Sequence, residues 1–132
     1  MEALKSSESL DRRVLVVDDD VAIRVLLSRM LLRASYDVDV AKDGAEAIEQ
    51  ILLHPYDVIV LDLMMPRVDG IGVVKYLTEH QPDVLKKVIV TTAFGAKALT
   101  KVCPPVARFL EKPFDVERLM REITECAWMN GS

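Results

Sequence analysis

Val14-Leu15-Val16-Val17-Asp18-Asp19-Asp20 decides how the rest of this chain is read. Its apolar run is rich in β-branched residues and does not alternate with polar ones, so it reads as a strand buried on both faces. The run stops on consecutive carboxylates. A second run, Val58-Ile59-Val60-Leu61, stops on Asp62. Ionised carboxylates beside a hydrophobic core are unfavourable unless compensated, and grouped carboxylates repel one another. A bound divalent cation is the simplest compensation. The two strand ends therefore point to a hard-metal site with chemistry at one Asp.

Outward from these runs, short apolar stretches alternate with amphipathic ones. Ile23, Leu26, Leu27, Met30 and Leu31 recur at helical spacing and predict a helix over about residues 20–34, with Asp20 as a first-turn acid favoured by the helix dipole. Tyr36 to Val40 alternates as a short strand. Asp43 is placed to cap a helix carrying Ala45, Ile48 and Leu52, which His54-Pro55 ends. Val58 to Leu61 is the third strand. Pro66 and Gly70 bracket a loop before a helix with Ile71, Val74 and Leu77 on one face, and Val88-Ile89-Val90 is the fourth strand. A short helix is expected from Gly95 to Cys103, stopped by Pro104-Pro105. Ala107 to Leu110 is a weaker fifth strand. The last helix carries Val116, Leu119, Met120, Ile123 and Ala127, with Asp115 as its cap and Gly131 past its end.

Five such β-α units imply an α/β fold, a parallel sheet with helices on both faces. Sites in these sheets lie outside the carboxyl ends of the strands. Asp18, Asp19, Asp62 and Thr92 all fall at such ends and are expected to converge.

The chain has 132 residues, 51% of them hydrophobic, with a formal charge of −4. That suits one domain, expected over residues 13–129, between a flexible tail at 1–12 and a short tail at 130–132. No Lys/Arg block marks direct nucleic-acid binding. No apolar run reaches membrane-spanning length, and the opening residues lack a signal-peptide stretch, so a cytoplasmic protein without membrane insertion is expected. Cys103 and Cys126 form no Cys-x-x-Cys unit and read as inert buried thiols. His54 and His80 lack ligand spacing and read as solvated.

With these residues in view, the chain resembles a response-regulator receiver domain of two-component signalling. The resemblance rests on residues 14–20 (Val-Leu-Val-Val-Asp-Asp-Asp), 43–47 (Asp-Gly-Ala-Glu-Ala), 58–70 (Val-Ile-Val-Leu-Asp-Leu-Met-Met-Pro-Arg-Val-Asp-Gly), 88–93 (Val-Ile-Val-Thr-Thr-Ala) and 111–114 (Glu-Lys-Pro-Phe). Each stretch alone is weak; all of them in order are specific. The resemblance implies a doubly wound five-stranded sheet in the flavodoxin-like order 2-1-3-4-5.

It also implies roles. Asp62 becomes the phosphoacceptor, taking a phosphoryl group from a phosphohistidine on a sensor histidine kinase or histidine phosphotransfer protein. Asp18 and Asp19, with Asp62 and the Met64 backbone carbonyl, hold Mg²⁺, Asp19 directly and Asp18 through water. The Thr92 hydroxyl and the Ala93 N–H donate to phosphoryl oxygens; Thr91 is the rival, and the family's Thr-Ala pairing selects Thr92. Lys112, before a cis Pro113, reaches the phosphate after pairing with Asp62. Phe109 is the switch aromatic, turning inward as Thr92 moves. The domain is thus no turnover enzyme. It promotes only its own phosphorylation and dephosphorylation, and its altered surface engages a downstream protein or forms a phosphorylation-dependent homodimer.

The stretch Cys103-Pro104-Pro105-Val106-Ala107 departs from the family's longer fourth helix and Gly-Ala pair, which puts the usual dimer mode in doubt. Met64 and Phe94 are bulky beside the expected phosphate route and are expected to hinder the hydrolytic water. Val25 and Leu32 extend the apolar surface of the first helix, as a docked helical partner would require. Competing readings fare worse. An Asp-nucleophile phosphohydrolase resembles Asp-x-Asp, but Met64 stands two after Asp62. A flavin or nucleotide carrier needs a Gly-rich or hydroxyl-rich phosphate loop, and the first loop here is acidic. A receiver that signals by docking alone would lack an acidic, Thr or Lys position; none is missing.

Overall fold

The computed structural model describes residues 12–63, 70–92, 108–113 and 115–131, with side chains through residue 128 in the last stretch. Its strands are β1 (Arg13–Val17), β2 (Asp37–Ala41), β3 (Val58–Asp62), β4 (Val88–Thr92) and β5 (Arg108–Glu111). They pair in parallel in the order β2-β1-β3-β4-β5, the order the resemblance implies. The described helices are α1 (Val21–Arg33), α2 (Gly44–Leu53), α3 (Gly70–His80) and α4 (Val116–Gly131).

Strand alternation divides the core into two layers. Leu15, Val17, Ile59, Leu61, Val88 and Val90 pack with Ala47 and Ile51 of α2 and Val73 and Leu77 of α3. Val14, Val16, Val58, Val60 and Ile89 pack with Leu27 and Leu31 of α1 and Leu119 and Ile123 of α4. Burying each such side chain contributes about 1.5–3 kcal/mol. The β-branched runs are therefore hydrophobic throughout because helices cover both faces.

Helix starts are set by acids. Asp20 is the N-cap of α1, not a first-turn residue: its carboxylate accepts from the Ala22 N–H at 2.9 Å. Asp43 caps α2 by accepting from the Glu46 N–H, while Glu46 accepts from the Lys42 N–H. Asp115 accepts from the Glu117 N–H at the start of α4.

Several expectations need correction. Leu26 is 46% exposed, because it lies about 100° around the helix from Leu27, at the edge of the inward stripe. Tyr36 precedes β2 instead of opening it. Its N–H donates to the Leu31 carbonyl, its ring is buried, and its hydroxyl bonds the Thr124 hydroxyl of α4 at 2.9 Å. A 3₁₀ helix over Pro82–Lys87, which the sequence reading lacked, seats Leu85 in the core. Helix α4 runs through Gly131 instead of stopping before it. The helix expected at 95–103 and the cysteine at 103 lie outside the described residues, as does the tail at 1–11. Cys126 is buried. His80 is exposed, and His54 is half-buried with its ring edge-on to Tyr56.

Candidate phosphoacceptor and metal site

Two strand ends and the turn after β1 build the site. β1 ends at Val17, and Asp18 remains 3% exposed at the mouth of the sheet. The next-door strand β3 ends on Asp62, also 3% exposed. Asp19 is exposed beside them. Carboxylate oxygens of Asp18, Asp19 and Asp62 lie within 4.8 Å of one another, so charges distant in sequence gather at one point.

Lys112 spans this cluster from the far side of β4. Its Nζ donates to Asp18 Oδ2 at 3.0 Å and lies 3.4 Å from Asp62 Oδ2. Its main-chain N–H donates to the Thr92 carbonyl at 2.6 Å, which ties the turn after β5 to the end of β4. The Lys112–Pro113 peptide is cis. Burial alone pushes the ammonium's pKa down. The hydrogen bond to Asp18 and the charges of Asp62 and Asp18 more than reverse this, so the pKa stands above the ordinary lysine value.

Asp18 is held from several directions. Its N–H donates to the Ala41 carbonyl of β2. Its Oδ1 accepts from the Asp20 N–H at 2.9 Å. Its main-chain carbonyl accepts from Arg24 Nη1 at 2.7 Å. Arg24 escaped the sequence reading, although its place just after an acidic turn was the available signal.

Both threonines at the end of β4 are buried. In the β3–β4 register, Thr91 stands opposite Asp62, and Thr92 is the last residue of the strand. By alternation Thr92 shares the face of Val88 and Val90. Phe109, paired with Val90, is half-buried against that same core layer. Thr92 and Phe109 are thus diagonal neighbours on adjacent strands. Gly70 opens α3 directly against the acceptor strand: a Cβ there would stand 2.3 Å from the Asp62 carbonyl oxygen and 2.5 Å from the Leu63 Cα. Glycine is needed for that close approach. Met64, Ala93 and Phe94 lie outside the described residues.

The donor set is all oxygen, negatively charged and partly open, which fits a hard divalent ion such as Mg²⁺. The described cleft of about 350 Å³ lies elsewhere, at the amino ends of the strands, among Ile51, His54, Tyr56 and Val84. It gathers no comparable set of carboxylates.

A doubly wound parallel sheet with an acid cluster and a bridging lysine at its carboxyl edge defines a class of signalling α/β domain. The response regulator receiver domain family model matches residues 14–124, and the chain belongs to that family. It is 36% identical over 111 residues to response regulator MprA of Mycobacterium leprae, covering 84% of this chain and 49% of MprA. The chain thus spans about half the length of that relative. Response regulator receiver protein CpdR of Brucella abortus is 35% identical over 114 residues, covering 85% of this chain and 93% of CpdR.

Solved structures agree. The receiver domain of the Francisella response regulator 1452 superposes with a TM-score of 0.81 at 31% identity, covering 89% of this chain and 98% of that one. The beryllofluoride-activated NtrC4 receiver domain dimer gives 0.78 at 40% identity, covering 91% and 98%. Response regulator TrrA of Thermotoga maritima, solved with Mg²⁺-BeF, gives 0.77 at 29% identity, covering 87% and 98%. No described helix is long and apolar enough to cross a membrane.

Proposed function

We propose that this receiver domain switches by accepting a phosphoryl group on Asp62, with Asp18, Asp19 and the Met64 carbonyl completing a Mg²⁺ site. The single observation that carries this reading is Lys112 Nζ lying within reach of both Asp18 and Asp62, inside a group of carboxylates less than 4.8 Å apart. One ammonium cannot neutralise such a group, and a further positive charge is what it lacks. TrrA, a structural relative solved with Mg²⁺-BeF, supports that choice.

Asp62 attacks phosphorus as a carboxylate nucleophile, the phosphorus–nitrogen bond of the phosphohistidine breaks, and its electrons return to the imidazole. The product on this chain is an acyl phosphate. Asp18, Asp19, Asp62 and the Met64 carbonyl would hold the magnesium ion, which would offset the charge of the carboxylates and of the incoming phosphoryl group. Lys112 leaves its carboxylates for a phosphoryl oxygen, and the buried Thr92 hydroxyl and the Ala93 N–H donate to others. The movement of Thr92 frees room for its diagonal neighbour Phe109 to turn inward, which alters the outer surface. The phosphoryl donor is a sensor histidine kinase or histidine phosphotransfer protein. The readout is a downstream protein or a second copy of the chain; NtrC4, a similar receiver, was solved as an activated dimer.

Incubation with phosphoramidate and Mg²⁺, followed by a phosphate-retarding gel, tests the acceptor. Wild type is expected to give a retarded band that Asp62→Ala lacks. Equal retardation of both proteins would remove Asp62 from the role.

A further inference from the structure

Arg24 lies beside the acidic pocket but takes no part in the chemistry above. It follows closely on the N-cap Asp20, near the positive end of the α1 dipole, where a cation is disfavoured. Its guanidinium nevertheless turns back toward that end, and Nη1 donates to the Asp18 carbonyl at 2.7 Å. β1 has already ended at Val17, so this carbonyl lies past the β1 ladder. Asp18 is buried, and a buried carbonyl needs a donor from the protein. The remaining polar groups of Asp18 are tied to Ala41 of β2, to the Asp20 N–H and to Lys112. The hold that reaches the turn from the body of α1 is Arg24's.

We propose that Arg24 is a positioning residue for the cation site. Its grip on the Asp18 carbonyl sets the turn between β1 and α1 so that the Asp18 and Asp19 carboxylates stand within reach of Asp62. This rests on the divalent-cation reading given above. The effect of Arg24 is separable from simple charge by its sign. A fixed positive charge beside a cation site opposes a second cation, so electrostatics alone predicts that deleting Arg24 tightens metal binding. Loss of positioning predicts the reverse, since partners that orient metal ligands typically change affinity by about 10- to 100-fold.

Calorimetric titration of Mg²⁺ into the unphosphorylated protein provides the test, with thermal unfolding in chelator as the check on folding. Arg24→Ala is expected to bind Mg²⁺ about tenfold more weakly than wild type. Arg24→Lys, which keeps a donor and the charge, is expected to recover part of the loss. If Arg24→Ala does not fold, Arg24→Gln is judged by the same criterion. Binding by the variant as tight as wild type, or tighter, overturns the inference and leaves the cation reading intact. Wild type that takes up no Mg²⁺ overturns both.

Discussion

Asp39, in the edge strand β2, accepts a 2.6 Å hydrogen bond from the Tyr56 hydroxyl and lies 3.2 Å from Arg13 Nε, a charge contact at an angle unsuited to a hydrogen bond. Nearby, Asp57 accepts from the Arg13 N–H at 2.8 Å. At the carboxyl end of the same sheet, Asp18 and Asp62 share the ammonium of Lys112, and Asp19 crowds against them. In the first region each acid has a hydrogen-bond donor of its own, and Arg13 offsets one of the two charges. The second carries an excess of negative charge at the mouth of a hydrophobic core. Structural ion pairs and functional sites both bury acids; the unbalanced remainder separates them, because it favours an incoming cation.

This comparison can be broken at its foundations first. Gly70→Ala forces a methyl group against the Asp62 carbonyl and the Leu63 Cα, and should lower stability by about 3 kcal/mol in urea unfolding. An unchanged midpoint would mean that the acceptor turn yields freely. The sharper test uses two neutralisations of opposite expected sign. Asp39→Asn should lower stability by about 1.5 kcal/mol, because it weakens the hydrogen bond from Tyr56 and removes the charge facing Arg13. Asp62→Asn, measured with chelator, should raise it by about 1 kcal/mol by relieving repulsion. Loss of stability in both would erase the distinction between the two regions.

Tyr56 offers a pH probe of the first region. Burial first, then its hydrogen bond to Asp39 and the charge of Asp39, hold the phenol's pKa well above its ordinary value. The proton is thus bound more tightly in the folded state. Its contribution is fully present below the unfolded phenol's pKa of about 10, and is lost as pH rises from there toward the folded value. Tyr56→Phe should cost about 1 kcal/mol at neutral pH and should flatten the alkaline fall relative to wild type. Parallel curves for the two proteins would rule out the phenol as its source. The smallest effect is expected at the turn after α1. Ser35 adopts φ 72°, a left-handed conformation that glycine takes without steric conflict. Ser35→Gly should therefore gain about 0.5 kcal/mol in the same unfolding assay.

Much of the fold was legible because it is periodic. Unbroken apolar runs at 14–17, 58–61 and 88–90 could only be strands covered on both sides, and Asp43 and Asp115 announced the helices they cap. The misses have physical causes. Leu26 has the chemistry of a core residue and lies at the edge of the inward stripe, an angular matter that a spacing rule blurs. Tyr36 looks like the start of a strand, yet its partner is Thr124, 88 residues away. The helix at Pro82–Lys87 is too short to show a period. Arg24 has no signature beyond its place just after an acidic turn, because it acts through a main-chain carbonyl, which every residue has.

The amino-acid order by itself determined the alternation of strands and helices and the placing of acids at strand ends, since both follow from nearest-neighbour pattern and residue chemistry. Only the tertiary structure decided that Asp62 stands opposite Thr91, that Lys112 crosses 94 residues of sequence to reach Asp18, and that one pole of the sheet is left with surplus negative charge. Those features depend on which strands pair and in what register. Packing of the helices across both faces selects that pairing, and no local stretch of sequence contains it.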